Sequence, residues 1–284
     1  MAADPITPRL AAVIGWPVKH SLSPLLHRTW AAREGVNGHY IPVAAEPTYE
    51  AFARACDALR TLGFAGCNVT LPHKEHALRY AASATPRAEK AGAANMLTFA
   101  PDGPKADNSD IAGFAAALRE TASELEPGRA MVLGAGGAAR AVVLALAEMG
   151  FSPIVVANRS RDKADAVAAL AKRAAAIDWE AREEPLAGAA VLVNATSLGM
   201  TGAPPLEISL DRLPKKAVVA EIIYAPLETP LLDAARARGN RTADGLSMLL
   251  HQAAFGYRAW LGEKAVVDAD IRRVLEAEIA RRAA

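Results

Sequence analysis

Apolar residues recur along this chain in two rhythms. Short runs that are apolar nearly throughout read as buried strands. They are LAAVIG at 10–15, HYIPVAA at 39–45 and FAGCNVT at 64–70, then AMVLG at 130–134, IVVA at 154–157, VLVN at 191–194 and VVAEIIY at 218–224. Between them lie stretches with apolar residues at helical spacing. Ser23 followed by Pro24 reads as an N-cap with proline at the first helical position, and Gly35 as the stop near Glu34. Residues 48–62 are helical and end at Gly63, and LPHKEHALRY is a short helix entered through Pro72. NMLTFAPDGPKADNSD contains the turn signal PDGP and reads as a hairpin or an open turn. Residues 111–125, 138–150 and 161–174 are further helices. Gly245 opens a last helical region striped by Leu246, Leu249, Leu250, Ala253, Tyr257, Trp260 and Leu261.

Strands that are apolar throughout and alternate with helices imply a parallel sheet covered on both faces. The fold class is therefore α/β, in two domains. The first spans 1–110 and is completed by 245–284; the second spans 111–244 and is of the Rossmann type. Composition excludes several classes. With 52% hydrophobic residues the 284-residue chain can build two cores, yet it has no apolar run long enough to span a bilayer. MAADPITPRL lacks the pattern of a signal peptide. Cys56 and Cys67 are too few for a disulfide framework and lack metal-ligand spacing, which fits a reducing cytoplasm. Lys plus Arg number 32 against 31 Asp plus Glu, so no basic face for nucleic acid is expected.

The clearest chemistry lies in GAGGAAR at 134–140, which matches G-x-G-x-x-A between a strand and a helix. Gly134 makes the tight turn, Gly136 admits a pyrophosphate close to the backbone, and Ala139 allows close helix packing. The amides at the helix start face the phosphates. At the end of the next strand an NAD site usually carries an acid for the ribose 2′-hydroxyl. Here Asn158, Arg159 and Ser160 stand there, with Arg161 and Lys163 close by. An acid would repel a 2′-phosphate, whereas the planar fork of Arg159 can pair with it, so NADP is the expected cofactor. Thr196 and Ser197 of NATSLGM either line that site or form a capped turn.

Three further groups have both a functional and a purely structural reading. Ser21 and Ser23, at a helix N-terminus, form either a carboxylate site or a simple cap. Lys74 begins a helix, where a cation opposes the dipole; that placement suggests a function, against a plain surface lysine. Asp110 of DNSD either caps the helix at 111 or faces a cleft at the domain junction. Met248 and Gln252 are an i, i+4 pair on one helix face, and their plain reading is packing plus a solvated amide.

Taken in order, VIGWPVKHSLSPLLH, GCNVTLPHK, AGAANML, DNSD, GAGGAAR, ANRS, NATSLGM, IIYAPLETPLL and DGLSMLLHQAA resemble the shikimate dehydrogenase family from Val13 to about Trp260. The resemblance implies an interdomain cleft and NADP-linked interconversion of shikimate and 3-dehydroshikimate in aromatic amino acid biosynthesis. It implies that Ser21 and Ser23 hold the substrate carboxylate. Thr70, Asn95, Tyr224 and Gln252 bond its hydroxyl or carboxylate groups, and Asp110 also touches it. By the same resemblance Lys74 and Asp110 would form the catalytic pair. Gly134, Ala135, Gly136, Gly137, Ala138, Asn158, Arg159, Ser160 and Lys163 would hold the NADP, while Ile222, Gly245 and Met248 would lie along the nicotinamide. The expected chain is a monomer or homodimer with no metal. His20, His27, His73 and His251 are given capping or packing roles. Met96, Ala106, Ser109, Glu221 and Ser247 depart from the family's common residues without removing a ligand or catalytic group. The alternatives are an NAD-using quinate/shikimate dehydrogenase, a non-catalytic ligand or redox sensor of the same fold, and a folate-linked dehydrogenase of similar plan.

Overall fold

The computed structural model describes residues 7–283. The sequence reading of the leader falls partly on residues 1–6, which lie outside them. The chain divides into two compact units. The first ends at Ser109 and is completed by Gln252–Leu275; the second is Asp110–His251 with the segment from Glu276 onward.

The first unit runs β1 (Arg9–Gly15), α1 (Ser23–Glu34), β2 (Gly38–Ala44), α2 (Tyr49–Thr61), β3 (Gly66–Val69), α3 (Lys74–Tyr80), β4 (Ser83–Ala84), α4 (Pro86–Ala91), β5 (Met96–Ala100) and β6 (Gly103–Asp107). Its sheet has the order β2-β1-β3-β5-β6-β4. β1 lies parallel to β2 and β3, and β5 is antiparallel to β3 and β6. PDGP therefore closes a hairpin. One face of the sheet packs Ala12, Ile14, Cys67, Val69 and Leu97 with Phe52, Cys56 and Leu59 of α2. Burying each such Ile, Leu or Phe side chain stabilises by roughly 1.5–3 kcal/mol.

Two helix starts differ from the sequence reading. Ser23 is the first residue of α1 and not its cap: Leu22 holds the cap position without a side-chain bond, and the Ser21 hydroxyl accepts from the Ser23 N–H at 3.2 Å. Pro72 lies in a turn before α3, and the helix begins at Lys74. The His73 N–H donates to the Thr70 carbonyl at 3.0 Å and closes that turn.

The second unit runs α5 (Asp110–Thr121), β7 (Arg129–Leu133), α6 (Gly137–Glu148), β8 (Ile154–Ala157), α7 (Arg161–Ala168), β9 (Ala174–Ile177), β10 (Ala189–Asn194), β11 (Val218–Glu221), α8 (Pro230–Ala237) and β12 (Arg241–Ala243), followed by α9 (Gly245–Trp260) and α10 (Ala269–Ala283). All six strands are parallel, in the order β12-β11-β10-β7-β8-β9. Counting from β7, this is the 3-2-1-4-5-6 order of a Rossmann sheet. Met131, Leu133, Leu192 and Val219 pack with Leu231 and Leu232 of α8, while Val142, Val143 and Leu146 of α6 are fully buried. α7 stops six residues before the expected 174, because the alanine-rich segment 174–177 pairs with β8 as an edge strand. Alanine has little β propensity, so only that edge makes it a strand.

The division also differs at the C-terminal end from the expectation that 245–284 completes the first domain. Residues 245–251 belong to the second unit, where α9 starts against β11: the Gly245 N–H donates to the Ile223 carbonyl at 3.1 Å. A Cβ at Gly245 would lie 2.4 Å from the carbonyl oxygens of Ile222 and Ile223, so only glycine fits. The rest of α9 is tied to the first unit through Trp260 Nε1 on Thr98 Oγ1 at 2.9 Å and Tyr257 Oη on Glu34 Oε2 at 2.8 Å. From Glu276 onward α10 goes with the second unit, with Arg282 close enough to Tyr224 to favour its phenolate. Among the described residues no helix is long and apolar enough to cross a membrane.

Candidate active site

Within the first unit the candidate residues gather at one edge of the sheet. The loops after β1 and β3 are joined there by the Thr70 N–H on the Ile14 carbonyl and the Trp16 N–H on the Leu71 carbonyl, both 2.9 Å. Thr70 and Lys74 follow β3, and the Ala94 N–H binds the Lys74 carbonyl at 2.8 Å. Because β5 is antiparallel to β3, Asn95 at its start comes to the same edge. Asn95 is 3% exposed. Its Oδ1 accepts from the Ser109 N–H at 2.7 Å, and its Nδ2 donates to Ser109 Oγ at 3.0 Å and Gln252 Oε1 at 3.3 Å. Gln252, 143 positions beyond Ser109, thus joins Asn95 and Ser109 in one buried cluster. Ser21 is half-buried and Ser23 buried at the start of α1.

Two polar residues that the sequence reading assigned no role stand behind this cluster. Asn68, on β3, accepts from Tyr40 Oη at 2.7 Å and donates to the Asn95 carbonyl at 3.2 Å. The signal was an asparagine inside a fully buried strand. Asp107 ends β6 and is held by Arg87 and Thr85, and its Oδ1 takes the Asn108 N–H at 2.7 Å. Burial works against its ionisation, but Arg87 and the other donors outweigh it and keep the carboxyl below its ordinary range.

Three of the histidines noted in the sequence have partners that hold the fold. His27 stacks on Tyr40 with ring centroids 3.8 Å apart, its Nδ1 donates to the Ser23 carbonyl at 2.9 Å, and burial pushes its pKa down to about 4. Burial likewise lowers His73, which bonds the Ala45 carbonyl. His251 pairs with Glu120 at 3.1 Å.

In the second unit the candidates from Gly134 onward lie at the carboxyl edge of the parallel strands, where such sheets bind ligands. Gly134–Ala138 follow β7, Asn158–Ser160 follow β8, Thr196 and Ser197 follow β10, Ile222 and Tyr224 follow β11, and Gly245 and Met248 follow β12. The chain reverses its direction of growth between β7 and β10. There Gly134, at φ +105°, presses on the next loop: a Cβ on it would lie 2.7 Å from the Ala195 carbonyl oxygen. Gly136 precedes α6, and around it a Cβ would meet no atom within 4 Å. Gly136 is the N-cap of α6 and no side chain caps the helix there, so its first-turn N–H groups lack side-chain partners at the cap.

Arg159 and Lys163 are exposed, and among the described residues neither is engaged by a hydrogen bond or ion pair. Arg161 is committed to Asp165 and Asp178. Asn158 is tied to the Ser160 carbonyl at 3.0 Å. Asp110 is 5% exposed and begins α5, so it is the first helical residue and not a preceding cap. Of the two readings offered for Thr196, the capped turn is the one observed. Its hydroxyl donates to Asn194 Oδ1 at 2.7 Å and accepts from the Leu198 N–H at 3.0 Å, a capped turn, and the turn stands at the ligand edge. Tyr224 is buried enough to raise its pKa. Glu221 is 2% exposed, and burial pushes its pKa up to about 7 against the opposing pull of Asn194, Ile223 and Thr229. No cluster of three or more metal-ligating side chains occurs among the described residues.

A chain that combines a Rossmann sheet, its glycine turn and basic strand end with another α/β unit that carries a polar cluster has the features of a two-domain oxidoreductase of the dinucleotide-binding class. Residues 13–97 match the shikimate dehydrogenase substrate binding domain, and residues 116–200 match shikimate / quinate 5-dehydrogenase. The chain is 48% identical to shikimate dehydrogenase (NADP(+)) of Acidiphilium cryptum, over 95% of this chain and 97% of that protein. Quinate dehydrogenase from Corynebacterium glutamicum, solved in complex with NAD, superposes with a TM-score of 0.87 at 27% identity, covering 95% of this chain and 100% of that one. The Thermus thermophilus shikimate 5-dehydrogenase, in complex with NADP(H) and shikimate, gives 0.81 at 33% identity, covering 97% and 100%. This chain belongs to the shikimate dehydrogenase family.

Proposed function

We propose that the protein catalyses the NADP-dependent, reversible reduction of 3-dehydroshikimate to shikimate, serving aromatic amino acid biosynthesis in the cytoplasm. The observation that carries the cofactor choice is Arg159, exposed and unengaged among the described residues at the end of β8, with no acid at that strand end. A 2′-phosphate gains a planar, fixed-charge partner there, and a bare ribose gains none. Identity of 48% to an NADP-linked relative supports the same choice.

NADP(H) supplies or accepts the hydride when bound. Ser21 and Ser23 receive the substrate carboxylate at the start of α1, and Thr70, Asn95, Tyr224 and Gln252 orient its ring oxygens. Asn95 Nδ2 donates to Gln252 Oε1, which turns the Gln252 amide N–H groups away from Asn95. In reduction, Lys74 Nζ delivers a proton to the oxygen on substrate carbon 3 as hydride reaches that carbon. In oxidation the proton returns to Lys74. Asp110 holds the lysine and the substrate hydroxyl in place. General acid–base assistance of this kind contributes typically ~10²–10⁴-fold.

The test is oxidation of shikimate and of quinate with NADP+ and with NAD+, followed by absorbance of the reduced nicotinamide. Turnover confined to shikimate with NADP+ supports the proposal. Equal or better turnover with quinate or NAD+ moves the chain to the quinate/shikimate group, and binding without turnover makes it a sensor.

A further inference from the structure

One buried acid at the ligand edge of the second unit is not used by this mechanism. Glu221 ends β11 in register with Asn194 at the end of β10. Its Oε2 accepts from Asn194 Nδ2 at 3.0 Å and from Thr229 Oγ1 at 3.3 Å, and its Oε1 accepts from the Ile223 N–H at 3.4 Å. Asn194 passes this arrangement on. Its Nδ2 also donates to the Leu198 carbonyl at 3.0 Å, and its Oδ1 accepts from Thr196 N–H at 3.0 Å and Thr196 Oγ1 at 2.7 Å. A flipped Asn194 amide would break the bonds to Glu221, the Leu198 carbonyl and the Thr196 N–H. Glu221 supplies an acceptor that only the present orientation satisfies.

We propose that Glu221 is a positioning residue for the nicotinamide end of the dinucleotide site, setting the 195–198 turn through Asn194 and the 222–224 strand end through the Ile223 N–H and Thr229. The inference rests on the dinucleotide reading above, but not on the choice between NADP and NAD or on the substrate. The groups that face the carboxyl are uncharged donors: the Asn194 amide from β10, the Thr229 hydroxyl from the cap of α8, and the N–H groups of Ile222 and Ile223 on its own strand end. Beyond β12, Asp244 turns its Oδ1 to the Ser247 N–H. A carboxylate accepts from all of these donors at once. An amide must point its NH2 at one of them, and a carboxylic acid keeps them only by turning the Thr229 hydroxyl round to accept its proton, so either form disturbs the set. Burial places the switch between the two forms near neutrality, at about 7.

The experiment is calorimetric titration of the full chain with NADP+ and NAD+ at about pH 8.5 and about pH 5.5, either side of that transition, for wild type, Glu221→Gln and Glu221→Asp. Glu221→Gln is expected to bind about tenfold more weakly than wild type at the higher pH. The ratio should fall toward one at the lower pH, where the wild-type carboxyl is itself protonated. Glu221→Asp keeps an acid and should keep the pH-dependent step. In wild type alone, affinity for NAD+, which has no 2′-phosphate to titrate, should fall several-fold toward the lower pH. This last arm stands even if Glu221→Gln fails to fold. A Glu221→Gln affinity within about twofold of wild type at the higher pH, a ratio independent of pH, or a flat wild-type NAD+ affinity overturns the proposal. A wild type that prefers NAD+ or leaves shikimate untouched refutes the proposed function, and the Glu221 comparison still reads out.

Discussion

Replacing Gly134 by alanine separates two demands that the glycine turn meets at once. The backbone there sits at φ +105°, and the added Cβ would lie 2.7 Å from the Ala195 carbonyl oxygen and 3.0 Å from Thr196 Cγ2. Neither side can yield easily. The Gly134 N–H is bonded to the Ala157 carbonyl at 2.8 Å, and the Ala195 N–H to the Leu133 carbonyl at 2.8 Å, so both loops are stitched to the sheet. A sparsely populated backbone conformation costs about 1–3 kcal/mol, and overpacking about 1–3 kcal/mol more. Gly134→Ala should therefore lose about 2–6 kcal/mol of stability in the second unit, read as a lowered urea midpoint by circular dichroism. Gly136→Ala is the control. Its backbone has φ −86° and its Cβ would meet nothing within 4 Å, so stability should stay within about 0.5 kcal/mol. The same Cβ would stand where a pyrophosphate must approach, so NADP+ affinity should fall in a protein that remains fully folded. A Gly134→Ala midpoint equal to wild type, or a Gly136→Ala that binds NADP+ normally, would refute the reasoning for that position.

Three other substitutions test separate parts of the site. Lys74→Ala should lower turnover by about 10²-fold or more while calorimetry finds NADP+ affinity little changed; unimpaired turnover would remove Lys74 from the chemistry. Arg159→Ala should weaken NADP+ binding by about 1.5–3 kcal/mol, the range for a hydrogen bond to a charged group, and leave NAD+ binding unaltered; equal loss with both cofactors would mean that Arg159 does not read the 2′-phosphate. His27 titrates at about 4 in the folded chain against 6.5 ordinarily, so the unfolded chain binds the extra proton first. Its contribution is complete above the ordinary value and is lost as pH falls from 6.5 toward 4, by about 3 kcal/mol in all. Urea midpoints for His27→Phe should show a shallower acid slope over that window than wild type, and an identical slope would assign the acid sensitivity elsewhere.

The local sequence was enough to place most strands and several helices, because a buried strand or a helix stop is written in a few adjacent residues. VLVN and IVVA are apolar on both faces, and Gly35 adopts the left-handed conformation that ends α1. GAGGAAR could be read for the same reason: the tight turn, the open backbone and the helix start are consecutive. The basic end of β8 was legible as an absence of acid. The alanine-rich β9 and the short β12 were not, since an edge strand exists only through the partner that offers it hydrogen bonds. The cap position of α1 fell to Leu22, and the Ser23 N–H met the Ser21 hydroxyl, because loop geometry, and not residue preference, decides which group reaches a free N–H.

By itself the sequence determined the family, the two α/β units, the glycine turn after β7 and the residue types gathered at the candidate site. Each of these is encoded in short-range order. Tertiary structure alone decided how Asn95, Ser109 and Gln252 share one set of hydrogen bonds across 157 positions of chain, and how Asn194 and Glu221 meet at neighbouring strand ends. It also decided that Glu221 titrates near 7, while Asp107, held by Arg87, is pulled the other way. The physical reason is common to all three. A side chain's partners, and the water removed from around it, are set by what packs against it, and that is fixed only when distant segments come together.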